Sequence, residues 1–221
     1  MSTVVPLHFE PRTRRQALQR LAHSALFGTG LGVLPFMPVQ AGTQVEEQLS
    51  TAVRTALSAA VAGAAPPEPV LTTTADQQAY AQWLAVTGQG LVRFQRNPVE
   101  RQEFLQTLWY EARRAGLSLS LVLGLVQVES AFRKHAVSSA GAMGFMQVMP
   151  FWARSIGDGD HTRLFHMQTN LRFGCVILRH YLDRERGDLF LGLGRYNGSR
   201  GQAAYPDAVL KAQRAWVHAV D

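Results

Sequence analysis

Within ESAFRKHAVSSAGAMGFMQVMP, residues 129–150, Glu129 is the only carboxylate. Counting along an α-helix, Val122, Leu125, Val126 and Phe132 stand at −7, −4, −3 and +3 from it. Those offsets share one side of the helix, so Glu129 projects from an apolar stripe rather than from a solvated face. Two roles fit such a carboxylate. It can pair with an arginine, Arg133 being one turn on, in a semi-buried ion pair. Alternatively its charged form is poorly solvated, its pKa rises, and it holds a proton near neutral pH. A group of the second kind can protonate a leaving oxygen, as cleavage of a glycosidic bond requires.

The residues after Glu129 fit a sugar ligand. Gly141, Ala142 and Gly144 remove bulk, so a long ligand could approach the backbone. Phe145, Met146 and Met149 supply apolar surface, and Gln147 adds an amide that donates and accepts. Taken singly, each of these types is more often packing or turn than binding; their order gives them weight. Other chemistry is poorly represented. The segment Asp158-Gly159-Asp160-His161 lacks the ligand series of a calcium loop and reads as a solvated turn. The seven histidines form no pair at metal-ligand spacing, so no metal and no cofactor are expected. The single cysteine, Cys175, lies in an apolar run and reads as a buried structural thiol.

The elements needed to position Glu129 are helical. Asn97-Pro98-Val99-Glu100 combines a cap, a proline at the first helical position and a glutamate placed to reach back. Phe104, Leu105, Leu108, Trp109 and Ala112 continue it as an apolar stripe that Gly116 closes. Ser118 or Ser120 opens the helix bearing Glu129. Further helices are predicted over 151–156, 168–186, 188–196 and 206–219, and no alternating strand of useful length is found. The fold class is therefore mainly α. Residues 45–61 carry an amphipathic pattern, and GAAPPEPVLTTT reads as a linker because Pro66, Pro67 and Pro69 cannot sit inside a helix. The domain scheme is a leader over 1–41, a short helix with linker over 42–75, and one helical domain over 76–221.

In the leader, Arg12, Arg14, Arg15 and Arg20 precede a moderately apolar, glycine-rich stretch. Val39-Gln40-Ala41 then offers the small residues a signal peptidase accepts. Arg14-Arg15 resembles a twin-arginine signal. Export to the periplasm or cell envelope follows. Pro35 and Pro38 argue against a stable membrane span after processing, and the lack of a leader cysteine argues against a lipid anchor. The chain carries a formal charge of +6, almost wholly as arginine. Without the leader, 18 basic residues face 15 acidic ones. No basic-aromatic stripe of the kind nucleic-acid binding needs is present.

Read together, Glu129-Ser130, Ala136, Ser138, Gly141-Ala142, Gly144, Met146-Gln147 and Met149-Pro150 resemble the signature of the soluble lytic transglycosylase family, which cuts the glycan strands of peptidoglycan. Arg195-Tyr196-Asn197-Gly198-Ser199 resembles a second element of that family, and Tyr205-Pro206 with Val209 a third. The likeness spans roughly 117–216. Three features depart from the usual pattern: Lys134 replaces a frequent proline, Phe145 a frequent leucine, and the 195–199 segment lacks the alanine-rich form.

The resemblance implies a lysozyme-like fold with a glycan-binding cleft, and Glu129 as acid and then base. The linkage between N-acetylmuramic acid and N-acetylglucosamine would open without water, leaving a 1,6-anhydro end. It also implies that Ser138 bonds near the substrate acetamido group, that Ser130 supports the helix end, and that Gly144, Met146 and Gln147 line the cleft. Tyr196 would hydrogen-bond Glu129, Asn197 would hold its turn, and Tyr205 would be a weaker cleft residue. A single carboxylate sets this chemistry apart from ordinary glycosidases, which need two across the bond; Glu111, Asp158 and Asp160 would supply a second only if the fold brought them in. A goose-type lysozyme-like hydrolase is the alternative enzyme, and a non-catalytic glycan-binding module of an envelope machine the alternative outside enzymes. The expected partner is peptidoglycan. The small catalytic region and the unassigned 42–90 segment also fit guidance by a secretion or conjugation apparatus.

Overall fold

The computed structural model describes residues 44, 46–62 and 71–217. The export leader over 1–41 and the proline-rich part of the linker lie outside the described residues, and all that follows concerns the unit that begins at Pro38. Among its described residues eight α-helices make up the framework: α1 Thr51–Val61, α2 Thr74–Leu91, α3 Pro98–Arg114, α4 Leu119–Ser130, α5 Pro150–Ile156, α6 Met167–Arg184, α7 Leu189–Asn197 and α8 Ala204–Arg214. A short 3-10 helix, His161–Phe165, joins α5 to α6. The mainly α class is observed as the periodicity predicts. Extended pairing among the described residues is limited to two isolated bridges, Val137 with Met143 and Met143 with Val148. No described helix is long and apolar enough to cross a membrane.

Helix starts follow local chemistry. Asn97 accepts the amides of Val99 and Glu100 before Pro98 opens α3, and Ser118 accepts the amide of Leu121 at the start of α4. These side chains satisfy amides that have no partner inside the helix. Helix α4 is the axis of the core, with every residue from Leu119 to Val126 buried. Its closest neighbour is α8, and Gly124 is the reason. A Cβ at that position would stand 2.6 Å from the backbone nitrogen of Gln213 and 2.8 Å from its Cα. Gln213 Nε2 to Ser120 Oγ (3.3 Å) and Trp216 Nε1 to Gln127 Oε1 (2.8 Å) tie the pair together.

Helix α1, which the sequence sets apart from the body, docks against α5 and α6. Leu57 and Val61 are buried in the common core. Trp152 Nε1 donates to Gln44 Oε1 at 3.0 Å, and Glu47 pairs with Arg184 and Arg195. An amphipathic helix must bury its apolar face somewhere, and here the body supplies the surface.

Gly124→Ala should force α4 and α8 apart and cost ~2 kcal/mol through overpacking. In thermal denaturation this appears as a midpoint lowered by ~4–8 °C. Gly88→Ala in α2, where the new methyl meets only Leu105 Cδ1 at 3.7 Å, should leave the midpoint unchanged or slightly raised.

Candidate active site

Glu129 lies in the last turn of α4, where the helix emerges from the core and the residue is half-buried. The chain then turns through two non-glycine residues with positive φ, Ala131 at 48° and Phe132 at 60°. Such a pair is costly, so the surroundings must hold it. Phe132 is almost fully buried, its ring centroid 4.9 Å from Phe94, 5.5 Å from Trp216 and 5.7 Å from Phe104. Arg133 is not the partner of Glu129: its Nε donates to the Ser130 carbonyl at 2.9 Å. No described cation is ion-paired to Glu129, so the semi-buried salt bridge is not formed.

The hydroxyl that reaches Glu129 belongs to Tyr205, which donates to Oε1 at 2.5 Å. Tyr205 sits in the first turn of α8 and is buried; the close approach of α8 to α4 at Gly124 carries it there. The expectation that Tyr196 makes this bond is corrected. Tyr196 donates instead to the Met146 carbonyl at 2.7 Å and is fully buried. Burial raises the Glu129 pKa from 4.5 to about 8, against the lowering effect of the Tyr205 hydrogen bond. The carboxyl is therefore mostly protonated at neutral pH. The same desolvation, reinforced by the Glu129 charge, raises the tyrosine hydroxyls of Tyr196 and Tyr205 well above their ordinary value, so both remain donors.

The loop after Glu129 is held from inside. Ser130 Oγ donates to the Phe145 carbonyl at 2.7 Å, joining the helix end to the loop. Asn170, on α6, accepts the Met146 amide and donates to the Met143 and Leu164 carbonyls, each at 2.8 Å. The helix predicted over 168–186 contains Asn170, and an asparagine just ahead of the apolar run from Leu171 is the signal that points to this role. Gly144 makes room for it, since a Cβ there would stand 2.3 Å from Asn170 Nδ2. The ligand-approach role expected of Gly144 is thus replaced by an internal one.

Met146 is likewise not a cleft wall. It has no exposed surface and fills the space above Gly174, where a Cβ would lie 2.3 Å from its sulfur. Gln147, nearly buried with φ of 48°, donates to the Ala136 and Gly144 carbonyls at 3.1 and 3.0 Å. Its amide nitrogen pins the loop. Ser138 is half-buried and accepts the Ala142 amide at 3.0 Å. Asn197 Nδ2 donates to Ser199 Oγ at 3.0 Å, next to the left-handed Gly198 that ends α7.

The other carboxylates raised as candidates have separate engagements. Glu111 is buried, and its Oε1 accepts from Arg172 Nε and Nη2 at 3.0 and 2.8 Å. Asp158 pairs with Arg163, and Asp160 caps the 3-10 helix through the Thr162 amide. Both line a cavity of about 540 Å³ between α1, α5 and α6 that Glu129 does not line. Cys175 is fully buried and its thiol is pushed further up by burial.

A neutral carboxyl, desolvated and held by one phenol beside a cross-braced loop, is a proton donor of the kind acetal cleavage uses. Residues 107–215 match the family model described as the Transglycosylase SLT domain. A transglycosylase of Enterobacteria phage PRD1 is 34% identical over 116 residues, covering 49% of this chain and 42% of that protein. Membrane-bound lytic murein transglycosylase C of Actinobacillus pleuropneumoniae serotype 5b is 38% identical over 88 residues, covering 36% and 24%. A solved chain, an inactive mutant of lytic transglycosylase Slt from Pseudomonas aeruginosa, shares 24% identity at a TM-score of 0.42, covering 66% of this chain and 27% of that one. The chain spans less than half the length of these curated relatives.

The sign of the pH dependence follows from a pKa raised in the folded state. The contribution of Glu129 to stability is full below about 4.5, declines as pH rises, and is lost above about 8. Glu129→Gln should therefore flatten this part of the stability–pH curve and raise the thermal midpoint at pH 8 relative to wild type. Tyr205→Phe removes the bond that lowers the pKa. Carbon-13 NMR of the Glu129 carboxyl should then show its titration moved upward from that of the wild type.

Proposed function

We propose that the protein is a lytic transglycosylase of the cell envelope that cleaves peptidoglycan glycan strands, with Glu129 as its single acid and base. The observation that carries this reading is the Glu129 carboxyl, held neutral near pH 7 by burial and in contact with Tyr205. Glu111 is taken up by Arg172, Asp158 by Arg163 and Asp160 by the Thr162 amide, which supports an acid that works without a second carboxylate. The SLT match over 107–215 and the relatives named for transglycosylase activity support the same assignment.

In this mechanism Glu129 donates its proton to the oxygen between N-acetylmuramic acid and N-acetylglucosamine, and the C1–O bond breaks. The carbonyl oxygen of the 2-acetamido group stabilises the positive charge at C1; the half-buried Ser138 hydroxyl is the group assigned to orient it. The Glu129 carboxylate then removes the proton of the muramic C6 hydroxyl, whose oxygen bonds to C1. The ring closes as a 1,6-anhydro sugar, Glu129 regains its proton, and no water is consumed. Tyr205 stabilises the transient carboxylate by its hydrogen bond, which lets the same group act as acid and then as base. Asn170, Ser130, Gln147 and Tyr196 hold the loop over which the glycan would pass. The export features of the leader sequence support an activity outside the cytoplasm.

Incubation with purified sacculi should release muropeptides one water lighter than hydrolysis would give, as read by mass spectrometry. Products carrying that water would assign a lysozyme-like hydrolase instead. Glu129→Gln should keep glycan binding and lose turnover by at least ~10³-fold; wild-type turnover in that variant would remove the mechanism. Wild-type activity should fall as pH rises through about 8, because the proton donor is lost.

A further inference from the structure

The loop that follows Glu129 runs to Met149 and hangs on two supports. Pro150 opens α5 directly after it, and Trp152 lies in the first turn of that helix. From the other side Tyr196, in α7, donates to the Met146 carbonyl at 2.7 Å. Both supports are held by residues far ahead of the SLT match over 107–215. Gln44 Oε1 accepts from Trp152 Nε1 at 3.0 Å, and both side chains are buried. Glu47 Oε1 meets Nη1 of Arg195, the neighbour of Tyr196, at 3.3 Å, and its Oε2 meets Arg184 of α6. Helix α1 anchors this segment: Leu57 and Val61 are buried in the core, and the Ala60 carbonyl accepts from Arg114 Nη2.

The ion pairs of Glu47 are partly exposed, and pairs of this kind add little to folding free energy. What they supply is direction. One carboxylate that meets guanidiniums on both α6 and α7 fixes where α7 ends relative to α6. Glu185 takes up Nε of the same Arg195 guanidinium and also binds Arg200. Arg195 is thus gripped by two carboxylates, and the backbone that carries Tyr196 is set with it. The Gln44 bond differs in kind: without it the Trp152 indole N–H, sealed from water, would lose its acceptor. A loop of small residues takes its shape from its supports, so an error at either one passes into the loop.

We propose that Gln44 and Glu47 are positioning residues for the active site: they hold Trp152 and Arg195, and through them the two supports of the loop after Glu129. This rests on the function proposed above and adds to it a segment outside the SLT match. Neither residue touches the reacting atoms. They act on the geometry in which the loop and Glu129 meet the glycan.

The test uses the full chain as E47Q, E47D and Q44L/E47Q, each confirmed as folded and assayed well below its thermal midpoint. On soluble glycan strands Q44L/E47Q should lose ~10-fold in kcat with KM unchanged, because the site is misplaced while no binding group is removed. E47Q alone should lose less, and E47D should restore most of that loss. In a Y196F background E47Q should cost little more, since the link from Arg195 to Met146 is already cut. The amides of Met143, Met146 and Val148 are hydrogen-bonded within the loop or to Asn170. Their hydrogen exchange should quicken ~10-fold in Q44L/E47Q while the amides of α3 stay as they are. Wild-type kcat in folded Q44L/E47Q would overturn the proposal, as would an equal cost of E47Q with and without the Tyr196 hydroxyl. A lower thermal midpoint with kcat and loop exchange unchanged would overturn it too, leaving the segment a role in stability alone. Failure of the wild-type protein to cleave glycan strands would sink the proposed function. Exchange at the three loop amides would then still decide the positioning role, faster exchange supporting it and unchanged exchange overturning it.

Discussion

Keeping a carboxyl out of water at the end of a buried helix is the constraint on which the site depends. Helix α4 runs through the core and surfaces only at its last turn, so Glu129 inherits the dryness of the helix without being sealed off. The carbonyl end of a helix also disfavours an anion, which adds to the desolvation. Tyr205 acts in the opposite direction, because its hydroxyl bonds the ionised form. Reversible proton transfer needs this balance: burial alone would raise the pKa further and leave a weak acid that gives up its proton poorly. The contact between α4 and α8 therefore supports the proposed chemistry as well as the packing. Gly124 permits it, and Gln213 and Trp216 fasten it.

The segment that follows Glu129 is most informative for what it does not expose. Gly144 and Met146 are buried against Asn170 and Gly174 of α6, and Gln147 bonds back to the loop at Ala136 and Gly144. Asn170 and Tyr196 reach in from α6 and α7 to take up the amide and carbonyl of Met146. A loop of small residues has little conformational preference of its own, so its shape must come from such bonds. The result is a braced surface that presents Ser138 and Met149 while burying most of the signature.

Charge follows the same division between support and exposure. On the α6–α7 side arginines are matched by Glu47, Glu111, Asp183 and Glu185, so that face is held together by its ion pairs. Two of those pairs involve Glu47, just ahead of α1, which makes the N-terminal helix part of the body. Near the α4 end Arg93, Arg96, Arg133 and Lys134 have no ion pair among the described residues, and neither have Arg54, Arg113, Arg154, Arg186, Lys211 and Arg214 elsewhere.

Helix placement was legible in the sequence because it rests on local effects: caps at Asn97 and Ser118, stripes at helical spacing, prolines at first turns. The position of Glu129 was legible for the same reason, since its offsets to Val122, Leu125, Val126 and Phe132 are properties of one helix. The choice between Tyr196 and Tyr205 was not. Both are aromatic hydroxyls late in the chain, and which one meets Glu129 depends on how closely α8 approaches α4 across 76 residues. The inward roles of Gly144 and Met146, and the docking of α1, were hidden likewise, because each depends on a surface formed by residues far along the chain. Sequence by itself determined which groups could hold or pass a proton. Tertiary structure decided which of them touch, because burial and contact arise only once helices distant in the chain are packed together.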